Sequence, residues 1–228
     1  MTKKKIILCA AAAVAAISAL IIFSPLIGKG SRENDIVQLE DSEILEYQGE
    51  NLTSLSTFRD NSIKGPQKTD IKDYNLIIDG LVEKKLSLSY RDVLKYEKYL
   101  KTITLHCVEG WKAKILWEGV LLADLLEKAG VKKEGDLIIF HALDSYTSSL
   151  SLDYILDNNI LLAYKMNGLP LTPETGFPFQ VAAEDKWGYK WVKWVTRIEV
   201  SDDRDFKGYW EKAGYNQNGD LSGSKFAE

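Results

Sequence analysis

The apolar residues of this chain fall into three patterns. From Ile6 to Ile27 there are 22 consecutive residues without a charge, a continuous run long enough to cross a bilayer as a helix. From Lys29 to Lys72 the sequence turns polar and turn-rich, with Ser31-Arg-Glu-Asn-Asp, Tyr47-Gln-Gly-Glu-Asn and Lys64-Gly-Pro-Gln-Lys. That stretch predicts a tether passing into an irregular arm. From Tyr74 onward, short apolar runs alternate with turn signals. Strands are predicted over Tyr74 to Val82 with a break at Gly80, and over Lys101 to Cys107, Leu137 to His141, Ser148 to Leu152, Ile160 to Met166, Phe179 to Ala183 and Val192 to Val200. Asn167-Gly168, between Tyr164-Lys-Met and Leu169-Pro-Leu, predicts a two-residue hairpin turn. Ser89 with Asp92 predicts an N-cap for a short helix to about Tyr96, and Leu121 to Ala129 is amphipathic and closes at Gly130. Many short strands with few helices predict an α+β fold dominated by a mixed sheet or partial barrel. The predicted organisation is an N-terminal transmembrane helix over 1–28, the tether and arm over 29–72, a domain over 73–203 and a C-terminal tail over 204–228.

Charge adds an orientation. Lys3, Lys4 and Lys5 precede the apolar run, and a basic flank stays on the cytoplasmic side, which places the domain outside the cell membrane. A cleaved signal peptide is the alternative, although its apolar stretch is usually about 7–15 residues and ends in small side chains. Here the run ends Phe23-Ser-Pro-Leu-Ile-Gly28. Cys9 lies inside the run after Leu8 and reads as a membrane-facing side chain. A net charge of −4 provides no footprint for nucleic acid. Six Trp and eleven Tyr can build a core or line a pocket for a flat ligand.

Beyond the anchor there is one cysteine, Cys107, so no disulfide can form within the exported part, and a lone exported thiol needs a reason. His106 cannot activate it, because adjacent residues on a strand point to opposite faces. His141 could reach it only through the fold. His106, His141 and Cys107 lack the short spacings of zinc sites, and haem c or iron–sulfur attachment needs several closely spaced cysteines. There is no Gly-rich phosphate loop. On residue type alone, Cys107 reads as a small buried hydrophobe, Lys186, Lys190 and Lys193 as a solvated face over aromatics, and Trp187, Trp191 and Trp194 as core.

The segment Thr104-Leu-His-Cys-Val-Glu-Gly-Trp111, followed by Trp117-Glu-Gly-Val-Leu-Leu-Ala-Asp-Leu-Leu126, resembles the sulfite oxidase-type molybdopterin-binding domain family. The resemblance continues at Asp144-Ser-Tyr-Thr, at Gly176-Phe-Pro-Phe-Gln-Val and at Lys186-Trp-Gly-Tyr-Lys-Trp-Val-Lys-Trp-Val-Thr-Arg-Ile. Tyr74 to Gly80 is similar to the family's opening strand, and Phe58-Arg-Asp-Asn61 to its upstream arginine–asparagine element. The resemblance implies a molybdenum–molybdopterin cofactor, with tungsten possible, whose metal takes Cys107 as its protein ligand. Thiolate is a soft donor that suits such a metal, and ligation would explain an exported lone thiol. It further implies that Asn61, Ser145, Thr175, Gln180, Lys190, Trp191, Val192 and Lys193 hold the cofactor, that Arg59 steers an anionic substrate and that Tyr146 lines the metal pocket. The implied activity is two-electron oxygen-atom transfer on a small substrate.

Three departures shape that implication. Gln180 stands where arginine is frequent in the family; the amino terminus carries lysines in place of the twin arginines common in proteins exported with this cofactor; and the chain has neither the haem domain nor the C-terminal dimerisation domain of longer members. A neutral Gln180 favours S-oxide or N-oxide reduction over sulfite oxidation, with electrons from a separate, membrane-associated partner. A cofactor-free relative acting as an extracytoplasmic binding module is the second reading that stays open.

Overall fold

The computed structural model describes residues 42–227, so the predicted membrane helix and the first part of the tether lie outside the described residues. The strands in chain order are Glu46–Tyr47 (β1), Glu50–Asn51 (β2), Asn75–Gly80 (β3), Leu86–Ser89 (β4), Tyr99–His106 (β5), Lys112–Leu121 (β6), Leu137–Ala142 (β7), Thr147–Ser151 (β8), Leu161–Met166 (β9), Leu169–Pro170 (β10), Gln180–Ala182 (β11) and Val195–Ser201 (β12). The helices are Tyr90–Val93 (α1), Leu122–Ala129 (α2), Leu152–Asp157 (α3) and Tyr209–Lys212 (α4). Among the described residues, no helix is long and apolar enough to cross a membrane.

Two five-stranded sheets carry the fold. One has the order β4-β3-β12-β7-β8, antiparallel except where β3 and β12 run parallel. The other runs β10-β9-β6-β5, with β11 also paired to β9. The first sheet is mixed and the second antiparallel throughout; neither closes into a barrel, and the two share one apolar core. In β12, Ile198 and Val200 enter that core while Arg197 and Glu199 face out, the period-two rule of a half-covered strand.

The sequence pattern located most elements but not all. Strand β6 was not expected: it lies between β5 and β9, and Ile115, Leu116 and Trp117 are all buried, which erases the alternation that marks a strand. Helix α3 begins inside what reads as the end of a strand, because Ser151 caps it by accepting from the Tyr154 amide. The last strand starts at Val195 rather than Val192, since Trp194 takes a positive φ of 52°. The capping box of Ser89 and Asp92 forms, although its helix has a single turn. Helix α2 buries Leu122, Leu125, Leu126 and Ala129 and stops at Gly130, as its periodicity predicts. Gly119 is required for a different reason: a Cβ there would lie 2.5 Å from the Leu162 carbonyl oxygen, so β6 and β9 approach too closely for a side chain.

Residues 204–227, expected as a tail, form part of the same compact unit as the rest of the described residues. Leu221 donates to the Asp185 carbonyl and Trp187 to the Gly219 carbonyl, while Asp220 pairs with Lys186. The arm is tied down at the predicted hairpin. Asn167 and Gly168 take φ of 49° and 82°, the left-handed pair that a type I′ turn requires. The buried Asn167 amide accepts from Leu116 N at 3.0 Å and donates to Glu43 Oε1 and the Thr53 carbonyl, each at 3.0 Å. Asn167→Ala removes all three bonds and leaves the Leu116 amide unpaired in the core. The expected cost is about 2–4 kcal/mol, read as a lower midpoint in urea denaturation followed by circular dichroism; a loss below about 1 kcal/mol would show that the arm is held elsewhere.

Candidate active site

The β5–β6 turn sets the site. Cys107 follows the last residue of β5, its amide donating to the Trp111 carbonyl at 2.9 Å and its carbonyl accepting from Gly110 at 3.0 Å. The turn leaves the thiol 7% exposed, at the wall of a cavity of about 420 Å³. The arm crosses in front of it: Asn61 Nδ2 donates to Cys107 Sγ at 3.1 Å and to Glu109 Oε2 at 3.1 Å. The arm is in turn clamped to the far wall, where Lys193 Nζ donates to Asp60 Oδ1 at 2.9 Å and to the Glu174 carbonyl at 2.6 Å.

Burial pushes the Cys107 thiol up, Glu109 adds to that, and the Glu109 amide, the Asn61 amide and Lys225 only partly oppose it. A thiol kept protonated is a poor nucleophile, and the partner a hydrolase would need is absent. His141 hydrogen-bonds Glu199 at 2.8 Å beside Arg197, and neither histidine lines the cavity. No group of three or more His, Cys, Asp or Glu side chains suited to a metal occurs among the described residues. What the thiol suits is ligation of a soft cation, which displaces the proton on binding.

Of the residues singled out in the sequence, Arg59, Asn61, Cys107, Tyr146, Gln180, Trp191 and Lys193 line the cavity together. Ser145, Thr175, Lys190 and Val192 do not. Gly188–Lys190 is a single 3-10 turn followed by bends at Trp191 and Lys193, and this irregular stretch brings Trp191 and Lys193 to the cavity but not Lys190 or Val192. Val192 is core. Lys190, 1% exposed, donates to Glu211 Oε1 at 2.7 Å and to the Gln217 carbonyl at 2.8 Å, and the reading of it as a free cation for the cofactor does not survive. Thr175 bonds back to Thr172, and Ser145 is exposed in the Ala142–Tyr146 turn. Tyr146 donates its hydroxyl to the Tyr189 carbonyl and burial pushes it well up, so it lines the wall as a neutral phenol. Sequence reasoning missed Trp111, Glu109, Asp144, Trp210 and Tyr215 on the lining. Trp111 and Glu109 stood inside the cysteine motif, whereas Trp210 and Tyr215 were signalled only by the density of aromatics after Phe206.

A buried thiol at a strand end, an aromatic-walled cavity and an arm laid across it together present flat surfaces and one soft sulfur donor. The chain belongs to the oxidoreductase molybdopterin binding domain family, whose model matches residues 63–210, and by that membership it is a molybdopterin oxidoreductase. It is 39% identical over 156 residues to the uncharacterized oxidoreductase YuiH of Bacillus subtilis, covering 68% of this chain and 78% of that one. It is 26% identical over 186 residues to the protein-methionine-sulfoxide reductase catalytic subunit MsrP of Campylobacter jejuni, covering 74% of this chain and 62% of that one. Among solved structures it is similar to the sulfane dehydrogenase SoxCD from Paracoccus pantotrophus, with a TM-score of 0.60 and 28% identity over 66% of this chain and 42% of that one.

The residues present fit the cofactor on one independent count. Two polar atoms on the cavity lining, Trp111 Nε1 and Gln180 Oε1, are buried without a hydrogen-bond partner among the described residues. One is a donor and the other an acceptor, and orphaned buried groups of this kind need a partner, which a pterin ring supplies in both senses.

The arm clamp has a pH signature. Burial acts to raise the Asp60 carboxyl, but the bonds from Lys193 and Ser62 and the adjacent ammonium outweigh it and hold the group below its ordinary value. Burial meanwhile pushes Lys193 down; Asp60 gives the direction that matters in acid. A depressed carboxyl stabilises the fold fully above the unfolded pKa of about 3.9 and loses that contribution as pH falls through the folded value. The exchange protection factor of the Ser62 amide, which donates to Asp60 Oδ1, should therefore hold down to about pH 5 and fall only in stronger acid. Asp60→Asn should loosen the arm at neutral pH, with tryptic cleavage after Arg59 or Lys64 faster by about five-fold; equal cleavage rates would show that Asn61 and the Lys64 bond to the Asp144 carbonyl hold the arm without this pair.

Proposed function

We propose that this protein reduces neutral organic S-oxides by oxygen-atom transfer, drawing electrons from a separate partner. The observation that carries this reading is the charge inventory of the cavity. Lys193 is committed to Asp60, the buried Gln180 amide is neutral, and the carboxylates of Asp60, Glu109 and Asp144 share the lining. Arg59 alone among the lining cations makes no ion pair or side-chain hydrogen bond among the described residues, and it sits exposed. An inorganic oxyanion would meet more negative than positive charge there, three carboxylates against two cations. A dipolar S-oxide needs one or two hydrogen bonds and an apolar wall, and Phe58, Trp111, Trp191, Trp194, Trp210 and Tyr215 provide the wall.

On this reading Cys107 holds the metal, Gln180 and Trp111 meet the pterin, Lys193 and the Trp191 region flank it, and Asn61 donates to the ligating sulfur. When bound, the pterin-held molybdenum supplies two-electron exchange of an oxygen atom. The overall reaction takes an S-oxide, two electrons and two protons to the sulfide and one water. Arg59 is the cationic donor available to orient the S–O dipole, and the clamped arm excludes water from the thiol. The similarity to a protein-methionine-sulfoxide reductase subunit agrees with this choice of substrate. The three lysines ahead of the 22-residue uncharged run support an anchored domain outside the membrane, next to a membrane-bound electron donor.

Elemental analysis of protein from its native host should give about one molybdenum or tungsten per chain, and Cys107→Ser should abolish turnover because a hard hydroxyl replaces a soft thiolate. With artificial electron carriers, kcat/KM for sulfoxide reduction should exceed that for sulfite oxidation. Gln180→Arg should strengthen sulfite binding by about ten-fold at most, the difference between a neutral hydrogen bond of about 0.5–1.5 kcal/mol and a charged one of about 1.5–3. A larger kcat/KM for sulfite in the unaltered protein would overturn the substrate assignment. Protease added to cells stripped of their wall should digest the domain, and full protection would reverse the topology.

A further inference from the structure

The C-terminal segment is built with more care than a tail requires. Lys190, fully buried, is paired with the equally buried Glu211, and Glu211 also accepts from Ser148 Oγ at 2.8 Å. Tyr189 donates to the Asn216 carbonyl at 2.7 Å, and Gln217 donates to Ser149 Oγ at 3.1 Å. A Cβ on Gly208 would lie 2.5 Å from the Thr147 carbonyl oxygen, and one on Gly219 2.6 Å from Lys190 Cγ, so the segment is pressed against β8 and the 188–190 turn. A buried ion pair is a poor source of stability but can specify one arrangement over others. The arrangement fixed here is aromatic. Trp210 and Tyr215 sit 5.1 Å apart, Tyr215 is 5.1 Å from both Tyr189 and Phe226, and Tyr209 is 5.7 Å from Tyr146. Trp210 and Tyr215 line the same cavity as Cys107 and Asn61. The family match stops at residue 210, so this wall is assembled at and beyond the edge of the shared domain.

We infer that Trp210 and Tyr215 form a substrate-selecting wall that takes the hydrophobic substituent of an organic sulfoxide, with Lys190 and Glu211 as the positioning pair that holds it. The inference rests on the S-oxide reading above and refines it: the favoured substrates carry an aryl or long alkyl group on sulfur. Aromatic faces attract both apolar groups and sulfur, and a wall set by hydrogen bonds and an ion pair costs no further ordering when substrate binds. Dimethyl sulfoxide is too small to gain from it.

The test compares methyl phenyl sulfoxide with dimethyl sulfoxide on the metal-loaded full chain, reading the ratio of their kcat/KM values. Trp210→Ala should lower the aryl-to-dimethyl ratio by about ten-fold, Trp210→Phe should restore most of it, and Tyr215→Leu should give a smaller drop of about three-fold. An unchanged ratio in both Trp210→Ala and Tyr215→Leu overturns the wall. If the unaltered enzyme reduces neither sulfoxide, the functional reading has failed, and the wall is then decided by calorimetric titration with methyl phenyl sulfide. Binding by the unaltered protein that weakens about ten-fold in Trp210→Ala upholds an apolar sulfur site. No binding, or equal binding by the two, overturns it.

Discussion

The parallel pairing of β3 with β12 is the constraint from which the rest of the architecture follows. It sets the first long strand of the domain beside the last, so the arm before β3 and the segment after β12 leave adjoining strands at opposite ends of the sheet. Each then runs to the cavity, the arm bringing Arg59, Asp60 and Asn61, the C-terminal segment bringing Trp210 and Tyr215. The β5–β6 turn supplies the thiol from the second sheet. The site is thus closed by chain lying outside the sheets, while its one soft ligand stands on rigid backbone. A ligand that must be gripped firmly and a substrate that must come and go are served by different parts of one cavity.

Charge is used sparingly in that cavity, and mostly for construction. Lys190 and Glu211 spend their charges on each other, Lys193 and Asp60 hold the arm, and Lys186 is placed over the Tyr154 ring and paired with Asp220. A lysine-rich motif therefore contributes one cation to the lining, and that one is already neutralised. Removing any of these partners would leave a charge in a poorly solvated place, which is why such pairs persist even where they add little net stability.

How much of this was legible beforehand depended on the range of the interactions. Local signals were read correctly: the Asn167-Gly168 turn, the Gly130 stop and the Ser89–Asp92 box each arise from backbone preferences within a few residues. The cavity side of Arg59, Asn61, Tyr146, Gln180, Trp191 and Lys193 followed from the cysteine motif and the resemblance it carried. Strand β6 was missed because a strand buried on both faces has no alternation. Lys190 was misassigned because nothing in the sequence says which side of a short irregular turn faces a ligand, and its partner, Glu211, lies 21 residues away. The C-terminal segment looked like a tail because its anchors are hydrogen bonds and ring contacts to distant residues, invisible to any window along the chain.

Four of the six tryptophans, Trp111, Trp191, Trp194 and Trp210, line the one cavity. Indole emission depends on the polarity around the ring and on nearby groups that accept excitation energy. The ultraviolet fluorescence of this protein is therefore weighted towards its functional site. A conjugated pterin seated among those rings absorbs where tryptophan emits, so a filled cavity is dim and an empty one bright. The same walls that shape the pocket report its occupancy without a label.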